Sequence, residues 1–240
     1  MITSEGEVEV VVKQLLPSRG LSLKLGLEEL LHEAILLARV SGVAGVPRLH
    51  GMVLDPPSLV TSFDGPATLG AVVRQWPRRV SGRMLVQAVA QVCGAVAGLH
   101  QKGVAHNDIK SNNVVVRLGS EGSITACLID LGNSSKVGSA IFPRGRLRWE
   151  DYPYLAPELV AGEPSSEASD VFSLGHMMAT FSKCFKANSK VSEVLGGLGA
   201  RATDRCPAQR PALREMRASI AGVLEHASRD TKSGSTDDFH

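Results

Sequence analysis

The chain has 240 residues, 43% hydrophobic and 21% charged, with a formal net charge of +2. That length and balance fit one large globular domain or two small lobes sharing a cleft rather than a disordered chain, and so small a charge carries no footprint for nucleic acid. Cys93, Cys127, Cys184 and Cys206 form no CxxC pair, no apolar run reads as bilayer-spanning and no secretory signal is visible, so the expectation is a reduced, membrane-free protein of the cytoplasm, with the nucleus open.

In chain order, the β-branched run Val8, Val10, Val11, Val12 ends at Lys13 and reads as a strand, with a turn at Pro17 and Gly20. From Leu27 to Val40 the apolar positions Leu27, Leu30, Leu31, Ala34, Leu37 and Ala38 recur at helical spacing, and Gly42 and Gly45 stop that helix. Leu49 to Leu54 and Leu59 to Phe63 are short strands split by Pro56-Pro57. Beyond them helix dominates. Ser81 caps a long helix through His100, with Leu85, Ala88, Val92, Val96 and Leu99 on one face. Val114 to Val116 and Thr125 to Ile129 are strands flanking a glycine turn. Asn133 to Asp151 is a long irregular segment of the kind that carries function. Ser165 or Ser166 starts a helix through Phe181, and Leu213, Met216, Ile220, Val223 and Leu224 mark the last one. From Arg229 the chain is polar and reads as a disordered tail.

The strongest chemical signal is His106-Asn107-Asp108-Ile109-Lys110-Ser111-Asn112-Asn113, followed by Ile129-Asp130-Leu131-Gly132. Phosphoryl transfer needs a carboxylate to orient and deprotonate a hydroxyl, a lysine to offset charge on the γ-phosphate, and hard oxygen donors for Mg²⁺. Asp108, Lys110, Asn113 and Asp130 supply those chemistries. The pattern H-x-D-x-K-x-x-N resembles the catalytic loop of eukaryotic protein kinases, and D-L-G resembles their metal-binding D-F-G. Ala156-Pro157-Glu158, Asp170-Val171-Phe172-Ser173-Leu174-Gly175 and Arg210-Pro211 follow in the family's order.

The resemblance implies an α+β, two-lobed kinase-like fold: a truncated β-rich N-lobe over 1–64, a mostly helical C-lobe over 65–228 and a tail over 229–240. It implies ATP and Mg²⁺ as cofactors. Catalysis falls to Asp108 and Lys110, and metal binding to Asn113 and Asp130. Lys13 would touch the nucleotide phosphates, with Glu33 as its helix partner and Glu29 as the fallback. Ser62 and Asp64 belong to the hinge that binds adenine, and Val115 lies under the ring. Glu158 and Arg210 are expected to pair, and Asp170 to hold the catalytic-loop backbone. Lys110, together with Tyr154, favours serine/threonine acceptors on a protein substrate. The rivals are a pseudokinase that regulates a partner protein without catalysis, and a small-molecule kinase of the aminoglycoside or choline type.

The sequence departs from the family in several places. Only Gly6 among the twelve residues before Lys13 is glycine, so no glycine-rich loop precedes it. Val11 replaces a small alanine beside the adenine. Asn107 replaces the arginine that gathers an activation-loop phosphate, so phosphorylation of Ser134, Ser135, Ser139 or Tyr152 is not expected to be required. Arg144, Arg146 and Arg148 form a basic strip in the same loop. Asp151 stands where a threonine usually contacts Asp108 and Lys110, and is expected to repel the one or compete for the other. The stretch between Phe181 and Arg210 is short, which suggests a trimmed or missing substrate-docking helix.

Overall fold

A computed structural model describes residues 2–3, 6–16, 23–75, 79–142, 145, 147–185 and 189–230. The turn expected at Pro17 and Gly20 lies outside the described residues, as do Arg144 and Arg146 of the basic strip.

The first lobe is built on a three-stranded antiparallel sheet of order β3-β5-β4, from β3 (Val10–Gln14), β4 (Leu49–Leu54) and β5 (Pro57–Ser62). A two-residue ladder, β1 (Ile2–Thr3) with β2 (Gly6–Glu7), precedes it. The β-branched residues of β3 favour a pleated strand, and its register sets Val11 against Thr61 and Lys13 against Leu59. Helix α1 (Leu23–Arg39) starts a turn earlier than its apolar spacing indicated. It buries Leu30, Glu33, Ala34 and Leu37 at i, i+3, i+4 and i+7, one face of a 3.6-residue helix, toward the sheet.

The turn after α1 ties the two lobes. Gly45 has φ +76°, which glycine adopts without the penalty a side chain brings. An added Cβ there would lie 3.2 Å from the Cβ of Ala95, and the Gly45 carbonyl accepts from the Leu128 N–H at 2.8 Å. Beyond the hinge, Gly65 crosses β8 (Val114–Leu118) so closely that a Cβ would meet the Val116 carbonyl oxygen at 2.5 Å.

The second lobe is helical around α3 (Gly82–Gln101), capped by Ser81, whose Oγ accepts from Met84 N. By length and composition α3 is apolar enough to cross a bilayer, which corrects the expectation of no such run. It is the central core helix instead: Leu85, Ala88, Val89, Val92, Val96 and Leu99 are buried against α7 (Leu213–Asp230) and the hairpin of β8 with β9 (Ile124–Leu128). Strand β6 (Ala67–Thr68) extends that hairpin, and α2 (Leu69–Gln75) follows it. The short strand β7 (Val104–Ala105) enters the catalytic loop and pairs with β10 (Ser135–Lys136), which gives the supposedly irregular segment a fixed start.

Helix α4 (Pro157–Val160) carries the Ala156-Pro157-Glu158 motif. Helix α5 (Glu167–Ser182) opens with a Ser166/Ser169 capping box and is buried on most of its circumference, the polar Ser169, Asp170 and Ser173 included. The stretch before Arg210 is not stripped of helix. It contains α6 (Lys190–Ala202), packed on α5 where Gly175 and Gly199 let the two backbones approach. Helix α7 runs to Asp230, so Arg229 and Asp230 are helical rather than the start of a tail; 231–240 lies outside the described residues.

Candidate active site

The catalytic segment hangs from one buried carboxylate. Asp170 on α5 is fully buried and accepts from the main-chain N–H groups of His106 and Asn107 and pairs with Nε2 of His100, each at 2.8 Å. A lone buried carboxylate is unfavourable, so these bonds hold the loop to the helix. Two non-glycine residues here have left-handed backbones, Asn107 at φ 65° and Asp130 at φ 67°. Asn and Asp are the side-chain-bearing residues that enter this region most readily, and strain of this kind gathers at functional sites.

His106 links the loop to the D-L-G segment. It is fully buried, and burial depresses its pKa below the usual histidine range against the pull of Asp170 and Asp108. The neutral ring therefore has one donor and one acceptor. Nδ1 accepts from the Asp108 N–H at 3.3 Å, which leaves Nε2 as the donor to the Ile129 carbonyl at 3.2 Å.

Asp108 and Lys110 face each other: Lys110 Nζ donates to Oδ1 at 2.9 Å and to Oδ2 at 2.8 Å. Burial lowers the Lys110 pKa, but the bond to Asp108 and its charge outweigh that and raise it above the usual lysine value. Asn113 donates from Nδ2 to the Asp108 carbonyl and to its Oδ2, both at 2.9 Å. The Ile129 N–H bonds the Asn113 carbonyl at 2.8 Å, which brings Asp130 beside Asn113. Across the cleft, Lys13 on β3 donates to Glu33 on α1 at 2.7 Å and reaches Asp130 at 3.5 Å. Partial burial works against its charge, yet Glu33 and Asp130 together raise its pKa. Glu33, not the exposed Glu29, is the partner.

The hinge residues make contacts of their own. Ser62 gives its main-chain N–H to the Arg48 carbonyl and its hydroxyl to Asp64 Oδ2 at 2.6 Å. The Asp64 side chain lines a cavity of about 690 Å³ with Gly42–Val46, Gln91, Cys127 and Arg217 rather than meeting the catalytic groups. Val115 is half-buried on β8, paired with Thr68 and Cys127.

Asp151 does not approach Asp108 or Lys110. It is half-exposed and paired with Arg148 at 3.1 Å, three residues back on the same turn, so the expected repulsion does not arise. Ser134 and Ser135 are not open to modification either. Both are buried, with Ser134 Oγ on the His106 carbonyl and Ser135 Oγ within reach of Asn107 and Ser165. Sequence reading missed what Asn107 does there: its Nδ2 lies at 3.0–3.2 Å from the carbonyls of Ala105 and Asn133 and from Ser135 Oγ. It also missed the His32 ring on α1, which meets the Ser134 carbonyl at 2.8 Å. Nothing in the spacing of these residues announces such contacts. Asn107→Ala is expected to lower stability by about 2–4 kcal/mol, from lost buried bonds and an alanine forced into the left-handed region. Urea unfolding checks this, and an unchanged midpoint contradicts it.

The sequence matches the family described as the protein kinase domain over residues 1–201. The chain belongs to the protein kinase family. The chain is 31% identical over 126 residues to the probable serine/threonine-protein kinase PkwA of Thermomonospora curvata, covering 52% of the chain and 16% of the relative. It is 33% identical over 105 residues to the serine/threonine-protein kinase PkaB of Streptomyces coelicolor, covering 42% and 25%. With the serine/threonine-protein kinase PknB of Mycolicibacterium smegmatis it shares 30% over 151 residues, covering 60% and 22%. The chain thus spans a quarter or less of the length of these relatives. The two-lobed α+β fold expected from its motifs is the fold of the chain.

Proposed function

We propose that the chain is an active kinase that transfers the γ-phosphate of ATP to serine or threonine hydroxyls of proteins. One observation carries the reading: Lys13, Glu33 and Asp130 form a connected set across the cleft from the Asp108–Lys110–Asn113 cluster, joined to it through the Ile129–Asn113 main-chain bond.

Glu33 holds the Lys13 ammonium where it would steady the nucleotide phosphates. With Nδ2 of Asn113 engaged by Asp108, its Oδ1 is the atom left for a cation, beside the half-exposed Asp130 carboxylate. That pair of hard oxygens fits Mg²⁺, which takes one or two protein oxygens and completes its shell with phosphate and water. Bound there, Mg²⁺ would neutralise charge on the phosphates. Asp108 orients the acceptor hydroxyl and takes its proton as the oxygen forms its bond to the γ-phosphorus and the bond to the ADP oxygen breaks. Lys110 offsets the charge on the transferring group. The main chain from Ser62 to Asp64 and the Val115 side chain are the surfaces for adenine.

Asp130→Ala is expected to weaken Mg²⁺-dependent ATP binding by about tenfold or more, in a protein that still folds, with the stability loss of about 1–2 kcal/mol that an alanine at φ 67° brings. Isothermal titration with and without Mg²⁺ decides, and equal affinities in variant and parent count against the assignment. Activity is expected to need no loop phosphate, because Asn107 and the buried Ser134 and Ser135 tie the segment down with neutral hydrogen bonds. Phosphatase treatment should leave the transfer rate unchanged, and a large loss would show that a phosphate is needed.

The competing reading, a regulatory binding module without catalysis, draws on Val11 beside the adenine place. A radiolabelled γ-phosphate transfer assay with Mg²⁺ and basic protein substrates separates the two. Incorporation that disappears in Asp108→Asn supports the enzyme, and none in the parent protein favours the module.

A further inference from the structure

We propose that Tyr154 is a positioning residue of the transfer site, its hydroxyl and ring fixing the Lys110 ammonium against the Asp108 carboxylate. The proposal rests on the reading of the chain as an active kinase. Tyr154 Oη lies 3.4 Å from Lys110 Nζ, and that nitrogen stands 5.2 Å from the centre of the tyrosine ring. Lys110 therefore has a phenol oxygen, an aromatic ring and both oxygens of Asp108 around one ammonium. A lysine on a flexible stem loses considerable rotamer freedom when held in one place, so a wall that restricts it in advance lowers that cost at the moment of reaction.

The tyrosine is itself well anchored. Its carbonyl accepts from Ser173 Oγ on α5 at 2.7 Å, and the next two residues, Leu155 and Ala156, are buried. Its ring meets that of Tyr152 edge-on at 6.4 Å. Asp151, the residue whose sequence position suggested a contact with Lys110, is turned to Arg148. A phenol suits the vacated role because it accepts from an ammonium through oxygen and offers its ring to the same cation. The surrounding charges agree. Burial raises the Tyr154 pKa above the usual tyrosine value, the Asp108 carboxylate raises it further, and Lys110 opposes both.

The test uses the fact that the chain contains two tyrosines, Tyr152 and Tyr154. In a Tyr152→Phe background, tyrosinate absorbance on raising the pH reports Tyr154 alone, with circular dichroism confirming that the fold persists. Removing the carboxylate by Asp108→Asn should lower the midpoint, and removing the cation by Lys110→Met should raise it. Opposite shifts are the signature of a phenol held within the field of both groups, which a tyrosine turned away from them would not give. In the transfer assay, Tyr154→Phe should lower kcat about tenfold with the KM for ATP unchanged, as expected for one lost hydrogen bond to a charged group. Midpoints that do not move, or an active enzyme whose kcat is the same in Tyr154→Phe, overturn the proposal. Absence of transfer in the parent protein would refute the catalytic reading alone, since the titration still decides whether Tyr154 holds the Lys110–Asp108 pair.

Discussion

Glu158→Ala and Arg210→Ala should each destabilise the helical lobe by about 3–5 kcal/mol, because removing one partner of a buried ion pair strands the other. The Arg210 side chain is 1% exposed and that of Glu158 9%. The guanidinium is bidentate, with Nη1 on Oε1 at 2.6 Å and Nη2 on Oε2 at 2.8 Å. Ser169 Oγ adds a third bond to the carboxylate, and Arg210 also donates to the carbonyls of Ala168 and Asp204. The guanidinium stacks 5.0 Å from the ring of Phe172, which belongs to the small cluster with Ala156 and Leu159. Loss of either charge therefore loosens α4, the start of α5 and the turn before α7 together. Thermal unfolding of both variants checks this, and melting within error of the parent protein contradicts it. The pair also has an acid signature. Burial disfavours the ionised carboxylate, but the Arg210 bonds outweigh it and hold the Glu158 pKa below its ordinary 4.5. Its contribution is thus complete above that value and is lost as pH falls through the lower folded one.

Asp108→Asn should lower kcat by about 10²–10⁴, the usual range for a positioned general base, with little change in the KM for ATP. In the proposed mechanism Asp108 serves the acceptor hydroxyl, and nucleotide contacts are assigned to Lys13, Asn113 and Asp130. The amide cannot take a proton, and its nitrogen cannot accept the bonds that Lys110 and Asn113 now give to Oδ2. Because Asp170 rather than Asp108 suspends the loop, the fold should persist. Steady-state kinetics with matched melting curves are the measurement. A kcat within a few fold of the parent would remove Asp108 from the base role, and a collapsed fold would show that it carries structure instead.

The D-x-K-x-x-N spacing and the D-L-G were legible because each is a local pattern whose chemistry follows from residue type, and the late arginine was legible through the resemblance alone. The partner of Lys13 was legible through the resemblance, which places a glutamate just before the apolar run Ile35-Leu36-Leu37, and the structure puts Glu33 on the buried face of α1. Helix α2 was missed because seven residues offer too little periodicity. Helix α6 was not marked because the stretch between Phe181 and Arg210 reads only as short, and the glycines that let α6 pack closely on α5 show their use only once the two helices meet. Asp151 was misread because position along a motif does not say which way a side chain turns, and an arginine three residues back was a nearer partner than the active site.

The sequence by itself determined the family, the α+β lobes, the acid, base and cation types available for chemistry, and the order in which the chain delivers them. Local pattern suffices for these, since strand, helix and catalytic loop each arise from neighbouring residues. Only the tertiary structure decided that Tyr154 rather than Asp151 meets Lys110, that Asn107, Ser135 and Ser165 clasp the loop, and that Ser62 and Asp64 turn toward each other. Those contacts join residues from separate segments, and their geometry depends on how buried donors and acceptors are satisfied once α5 has fixed the catalytic loop.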